Sequence, residues 1–256
     1  MTEAGGESAS EYESDHDESL PVASRKEGEM FGEYAYRKDR IFKYITIQDK
    51  NIKIPDLKDS NKLTLFMELD EVLLHTFICD ENFGYISNPA AKDPEHEFFM
   101  EEIRQPVLVY MRDHWQEFVT YLKENEKYID PIVYTQGLEP YTNHLLNIID
   151  PDREVFKTVL YSNACYLFQI KEENLVSYIK DISRFQNRDI RRSALLDPKP
   201  INFMMTPENS IPVFEYTAEY LGLGDQKDPH LISIMEELDD IKDLDRRCQA
   251  SSRGKI

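Results

Sequence analysis

The chain has 256 residues and a formal net charge of -19, a length that suits one α/β domain of roughly 150 to 200 residues with tails. The acidic excess repels nucleic-acid backbones, so the expected partners are other proteins and no nucleic acid. No window approaches the roughly 18 to 20 apolar residues of a membrane helix, and no basic segment leads into an apolar one near Met1, so neither direct membrane insertion nor secretion is expected.

Residues 1–34 read as an acidic tail, disordered or ordered only by a partner. Its first half carries Glu3, Glu7, Glu11, Glu13, Asp15, Asp17 and Glu18 with no Lys or Arg, and cannot bury enough apolar surface to fold alone. Such a tail is the opposite of an Arg-rich mitochondrial presequence. Ser10 and Ser14 each have an acid three positions on, Glu13 and Asp17, a pattern that acid-directed kinases favour. Residues 35–62 form a polar connector in which Tyr44-Ile45-Thr46-Ile47 and Ile52-Lys53-Ile54-Pro55 suit short edge strands. The domain proper is expected over 63–245, with 246–256 as a C-terminal tail.

From Leu63 onward, short apolar or β-branched runs alternate with amphipathic stretches. The pattern predicts strands at Leu63 to Met67, Val107 to Met111, Pro131 to Thr135, Thr158 to Tyr161, Ala194 to Asp197 and Ile211 to Phe214. Helical spacing joins Trp115, Phe118, Val119 and Leu122. It joins Leu138, Tyr141, Leu145 and Ile149 behind Pro140, and also Leu231, Ile234, Met235 and Leu238. This alternation implies a doubly wound parallel sheet, whose ligands bind beyond the carboxyl ends of the strands. Cys79, Cys165 and Cys248 lack the short spacing of a zinc site and read as idle or buried thiols. Arg184, Arg188, Arg191 and Arg192 read as a solvated face.

The strand ends place Asp70, Thr135 and Asp197 in one crevice, with Lys180 upstream of the last strand. Two carboxylates, a hydroxyl and a lysine could hold a divalent cation and a phosphate, because hard cations take oxygen ligands and an ammonium offsets phosphate charge. Taken singly, each also has a plain structural reading: a turn at Asp197-Pro198, a helix cap at Thr135, a solvated Lys180.

Four ordered segments carry a resemblance: Glu68-Leu69-Asp70-Glu71-Val72-Leu73-Leu74-His75, Val133-Tyr134-Thr135, Tyr178-Ile179-Lys180-Asp181-Ile182-Ser183-Arg184 and Leu196-Asp197-Pro198-Lys199-Pro200, followed by Pro207-Glu208-Asn209-Ser210-Ile211-Pro212. From about Leu63 to Leu244 the chain resembles the haloacid-dehalogenase-like (HAD-like) phosphatases, in the branch of RNA polymerase II C-terminal-domain phosphatases, also called NLI-interacting-factor-like. The resemblance implies an α/β HAD-like (Rossmannoid) sheet, doubly wound and parallel, with helices on both faces and a small β insertion after the first motif. It implies Glu68 at the nucleophile position, Asp70 at the acid/base position and Thr135 and Lys180 at phosphate-binding positions. Glu68, Asp70 and Asp197 then fall at the place of a Mg²⁺ ion.

Three departures from that pattern bear on chemistry. Glu68 replaces an aspartate and adds a methylene, displacing the attacking oxygen by about 1 Å in a step where such misplacement can cost about a hundredfold. Pro198 offers no side-chain oxygen to a metal that demands near-octahedral oxygen geometry. Ser162 stands where the family tends to carry a phosphate-engaging arginine. The expectation is a catalytically inactive scaffold, adaptor or subunit of a protein assembly with no cofactor; the rival is a Mg²⁺-dependent protein serine/threonine phosphatase. Cytoplasm or nucleus is the expected compartment. The phosphatase-like domain of the mitochondrial inner-membrane translocase receptor is similar in its first motif, which keeps the mitochondrion as the alternative.

Overall fold

The computed structural model describes residues 45–79, 93–170, 175–217 and 228–253. The acidic tail with Ser10 and Ser14, the connector before Ile45 and the side chain of Cys248 lie outside them. Eleven strands are assigned among the described residues: β1 (Ile45–Ile47), β2 (Leu63–Met67), β3 (Leu74–Ile78), β4 (His96–Met100), β5 (Gln105–Met111), β6 (Ile129–Tyr134), β7 (Thr158–Leu160), β8 (Tyr166–Ile170), β9 (Leu175–Ile179), β10 (Ser193–Asp197) and β11 (Ser210–Pro212). Three α-helices accompany them, α1 (Trp115–Glu124), α2 (Glu139–Ile149) and α3 (His230–Arg253). None of these helices is long and apolar enough to cross a membrane.

The central sheet has the order β11-β10-β2-β6-β7 with every pair parallel. Its middle strands are buried on both faces, which explains their near-continuous apolar runs. Pro131 is tolerated in β6 because β7 joins only from Ile132, so at Pro131 the strand has β2 alone as neighbour. Alternation along the strands divides the core. Leu65, Met67, Val133 and Leu196 face one side, where Phe118 and Leu122 of α1, Leu145 and Ile149 of α2, and Leu231 and Leu238 of α3 cover them. Each such side chain contributes about 1.5–3 kcal/mol by burial.

On the opposite side Phe66, Ile132, Tyr134 and Leu195 pack against Ile54, Ala164, Cys165, Ile182 and Phe185. The two faces are therefore covered unequally: the α-helices contribute to the first, short 3-10 turns such as Ile182–Arg184 to the second. Ile52 to Pro55 forms no strand, but Ile54 seals this second face.

Two smaller antiparallel sheets flank the centre. One, ordered β3-β5-β4, is the insertion implied after the first motif, and it takes Val107 to Met111 out of the parallel set predicted from alternation alone. The other, ordered β1-β8-β9, contains a hairpin that the strand pattern passed over. Its inner side packs Tyr166, Phe168 and Ile179 against Met204 and Met205, and β9 ends at Ile179, delivering Lys180. The last sheet strand stops at Pro212, short of the predicted Phe214, whose ring is 71% exposed and lies 4.5 Å from that of His230. Helix α3 continues to Arg253, through the position where a tail was expected to start.

Two of the four arginines, Arg184 and Arg188, leave the expected solvated face, while Arg191 stays exposed. Arg188 is buried and paired with Asp130 at 3.1 Å. Half-buried Arg184 donates to the carbonyls of Ala164 and Asp49. A charge count along the sequence cannot see these acceptors, which come from distant segments.

Candidate active site

The carboxyl ends of β2, β6 and β10, with the residue after β9, meet at one end of the sheet. Glu68 continues β2 through its N–H to Leu196 O at 3.0 Å, and the chain then turns sharply. Leu73 N–H bonds Leu69 O at 3.0 Å, Glu71 N–H bonds Leu74 O at 2.6 Å, and Glu71 sits in the left-handed region at φ 63°. That conformation strains a non-glycine residue by about 1 kcal/mol or more, so it persists only because its surroundings hold it. Arg112, fully buried, supplies much of that hold. Its guanidinium donates to Val72 O at 3.2 Å and Glu71 O at 3.4 Å and pairs with Asp228 just before α3.

Lys180 forms the floor. Its side chain is 0% exposed, and Nζ lies between Glu68 Oε2, at 2.7 Å, and Asp197 Oδ2. Burial alone would lower the lysine's pKa, but Asp197 and then Glu68 outweigh it and hold the ammonium charged. Burial likewise acts to raise Glu68, yet Lys180, the Thr135 hydroxyl and Leu69 N–H bring its carboxyl below the usual range. Asp197 ends above its ordinary value, because burial and the Glu68 charge exceed its share of the single ammonium.

Above this floor lies a cavity of about 240 Å³ lined by Glu68, Asp70, Glu71, His75, Thr76, Gln136, Gly137, Tyr141 and Lys199. Asp70 faces it from the turn; Tyr141 on α2 donates to Asp70 Oδ1 at 2.5 Å, and Thr76 Oγ1 lies 2.7 Å from the Tyr141 hydroxyl. Burial and then the Glu68 charge push the Asp70 carboxyl up to about 7 against the pull of Tyr141. Lys199 Nζ stands 3.6 Å from Glu71 Oε2.

Of the residues expected at the site, Glu68 and Asp70 line the cavity, while Thr135, Lys180 and Asp197 lie behind Glu68. The Thr135 hydroxyl accepts Gly137 N–H at 2.9 Å. Ser162 is buried beside the site and bonds Gly137 O through its N–H at 3.0 Å without lining the cavity. Sequence reasoning missed Gln136, whose N–H donates to Glu68 Oε2 at 3.1 Å, and Asn202, which links the Gln136 amide at 3.1 Å to Asp197 Oδ1 at 2.9 Å. It also assigned Tyr141 to the core stripe of its helix. Proximity to Thr135 and Asp197 along the chain was the signal for Gln136 and Asn202, but nothing local distinguished Tyr141.

The Mg²⁺ ion that the resemblance implied would meet Asp70 at the cavity and, at Glu68 and Asp197, oxygens that already accept hydrogen bonds. Glu68 Oε1 accepts Leu69 N–H at 3.0 Å and Oε2 accepts both Lys180 and Gln136. Asp197 Oδ1 accepts Lys199 N–H and Asn202 while Oδ2 accepts Lys180, and Pro198 has no side-chain oxygen. A Mg²⁺ ion, which keeps several waters and takes one or two carboxylates, would share the Glu68 and Asp197 oxygens with these donors, and Lys180 competes with it for both carboxylates. Among the described residues no group of three or more His, Cys, Asp and Glu is placed to hold a metal.

Comparison with known proteins places this geometry in context. The chain is 28% identical over 195 residues to CTD small phosphatase-like protein 1 of Caenorhabditis elegans, covering 76% of this chain and 35% of that protein. It is 27% identical over 187 residues to carboxy-terminal domain RNA polymerase II polypeptide A small phosphatase 2 of Mus musculus, covering 73% and 61%. This chain thus spans between about a third and two thirds of the length of these relatives. A solved structure of the fission yeast RNA polymerase II CTD phosphatase Fcp1 aligns with a TM-score of 0.45 at 16% identity, over 72% of this chain and 52% of that one. The sequence model of the NLI interacting factor-like phosphatases matches residues 63–248. That stretch contains every strand of the parallel sheet and every residue of the crevice, and the chain belongs to the NLI interacting factor-like phosphatase family.

Proposed function

We propose that this member of the family serves as a scaffold or adaptor that binds other proteins as part of an assembly, without efficient phosphatase turnover. The reading is carried by Glu68, whose two oxygens are held by Leu69 N–H, Gln136 N–H and the Lys180 ammonium. A nucleophile needs a lone pair aimed at phosphorus, and the longer side chain has turned one oxygen back onto its own backbone. Lys180 competes for the Glu68 and Asp197 carboxylates and so weakens the hold on a Mg²⁺ ion that would offset a phosphate dianion over Glu68, Asp70 and Glu71. The free thiols Cys79 and Cys165 suit a reducing compartment, cytoplasm or nucleus.

The second reading, a Mg²⁺-dependent serine/threonine phosphatase with Glu68 as nucleophile, is favoured by the names of the relatives and by Asp70. A carboxyl raised to about 7 is half protonated near neutral pH, as a general acid should be. The two readings separate in an assay of p-nitrophenyl phosphate with and without Mg²⁺. The wild type is expected to show no metal-dependent turnover; turnover that Asp70→Asn abolishes sinks the scaffold reading. Affinity isolation of the full chain should return stoichiometric protein partners, and a solitary monomer counts against it.

A further inference from the structure

The turn after β2 is held by a buried side chain that stays out of the cavity, Arg112. Glu71 stands at φ 63°, a conformation that an L side chain keeps only under constraint, between Asp70, which lines the cavity, and Val72, which is buried in the core. A turn of this shape leaves carbonyls outside any regular pairing, and a buried carbonyl without a donor is costly. Two residues from distant segments supply the donors. Tyr216 N–H reaches Glu71 O at 2.9 Å, and the Arg112 guanidinium reaches Glu71 O at 3.4 Å and Val72 O at 3.2 Å. Arg112 N–H also bonds Leu73 O at 2.9 Å, so this residue grips the turn through backbone and side chain alike.

Arg112 is in turn fixed from the far side. Its Nε donates to Asp228 Oδ2, its guanidinium carbon lies 5.4 Å from the centre of the Tyr216 ring, and the Tyr216 hydroxyl donates to Met111 O at 2.8 Å. Asp228 is itself tied down: its N–H donates to Asp113 Oδ2 at 2.9 Å, and its Oδ1 accepts the N–H of His230, the first residue of α3, at 2.9 Å. Two carbonyls and a carboxylate around one side chain call for a planar fork of donors, which a lysine ammonium does not offer. Contacts thus run from the start of α3 through Asp228 and Arg112 to the turn, and from the turn to Asp70, whose Oδ1 accepts the Tyr141 hydroxyl at 2.5 Å.

We propose that Arg112 is a positioning residue for Asp70: it keeps Glu71 left-handed and so holds the Asp70 carboxylate at the crevice, and Asp228 makes that hold depend on how α3 is seated. A partner that unseats the start of α3 therefore reaches the crevice without entering it. Arg112 acts in this way whether or not the crevice turns over phosphate, so the role is independent of the scaffold reading.

The test reads the carbon-13 signal of Tyr141 Cζ in the full chain labelled at tyrosine. Tyr141→Phe assigns the signal, and Asp70→Ala gives its value for a hydroxyl that has lost the carboxylate. Asp228→Asn should move the wild-type signal to that value, and Arg112→Lys should do the same. Asp228→Glu, which keeps the charge but shifts it by one methylene, should move the signal part of the way and serves where Asp228→Asn does not fold. Glu71→Gly, which adopts the left-handed conformation freely, should leave the signal in place by itself and return it toward wild type when combined with Asp228→Asn or Asp228→Glu. Arg188→Lys, at another buried arginine paired with a carboxylate, should lower stability without moving the signal. A signal that keeps its wild-type value in the folded Asp228 variants, that Glu71→Gly fails to return, or that Arg188→Lys shifts equally overturns the proposal.

Discussion

Two fully buried cations organise this molecule, and their surroundings differ. Among the described residues Arg112 pairs with one carboxylate, Asp228, and its Nη1 group donates to the carbonyls of Glu71 and Val72, a one-for-one balance behind the turn. Lys180 meets two carboxylates, Glu68 and Asp197, with Asp70 close above. The first arrangement staples structure together. The second holds an excess of acid beneath a cavity, where burial and after it the Glu68 charge raise the carboxyls of Asp197 and Asp70. A buried ion pair alone thus says little about function; the unbalanced one, at the ends of parallel strands, marks the site.

The largest effect expected from breaking this comparison comes from the cations. Lys180→Met leaves two buried carboxylates without a counter-charge and should cost about 3–5 kcal/mol, read as a collapse of the denaturation midpoint. The partners should then behave unequally. Asp228→Asn strips Arg112 of the carboxylate it pairs with among the described residues and should cost about 3 kcal/mol, whereas Asp197→Asn neutralises a carboxyl already raised by burial and the Glu68 charge and should cost less than about 1 kcal/mol. Equal losses would show that the acid excess is not felt.

A smaller effect appears with pH. The Asp70 carboxyl ordinarily titrates near 3.8 and is held at about 7 in the folded chain, so between those values the folded state binds a proton that the unfolded state does not. Stability from this group is present below pH 3.8 and is lost as pH rises through 7. Asp70→Asn should therefore raise the melting temperature at pH 8 and leave it little changed at pH 4. An Asn variant less stable at pH 8 would contradict the raised carboxyl. The smallest effect belongs to Arg191, whose side chain is 86% exposed and paired only with its near neighbour Asp189; Arg191→Ala should not shift the melting temperature measurably.

Much of the site was legible because its chemistry lies at strand ends. Runs such as Leu63 to Met67 and Ala194 to Asp197 show where strands stop, and Glu68, Asp70, Thr135 and Asp197 lie there. Lys180 was legible only through its motif, since the hairpin that delivers it pairs β8 with β9 and with β1, a contact between segments more than a hundred residues apart. Tyr141 escaped notice because helical spacing gives a core residue and a crevice residue the same signature when the helix runs along the cavity wall.

What the sequence by itself determined is the alternating order of strands and helices, the acidic balance and the identity of the residues at the strand ends. Those are properties of local pattern and residue type, and they survive without coordinates. The tertiary structure alone decided which carboxylates share Lys180, that the Tyr141 hydroxyl meets Asp70, and that Arg188 is buried rather than solvated. Each of these depends on which distant groups are brought within a few ångströms, where desolvation strengthens every unbalanced charge.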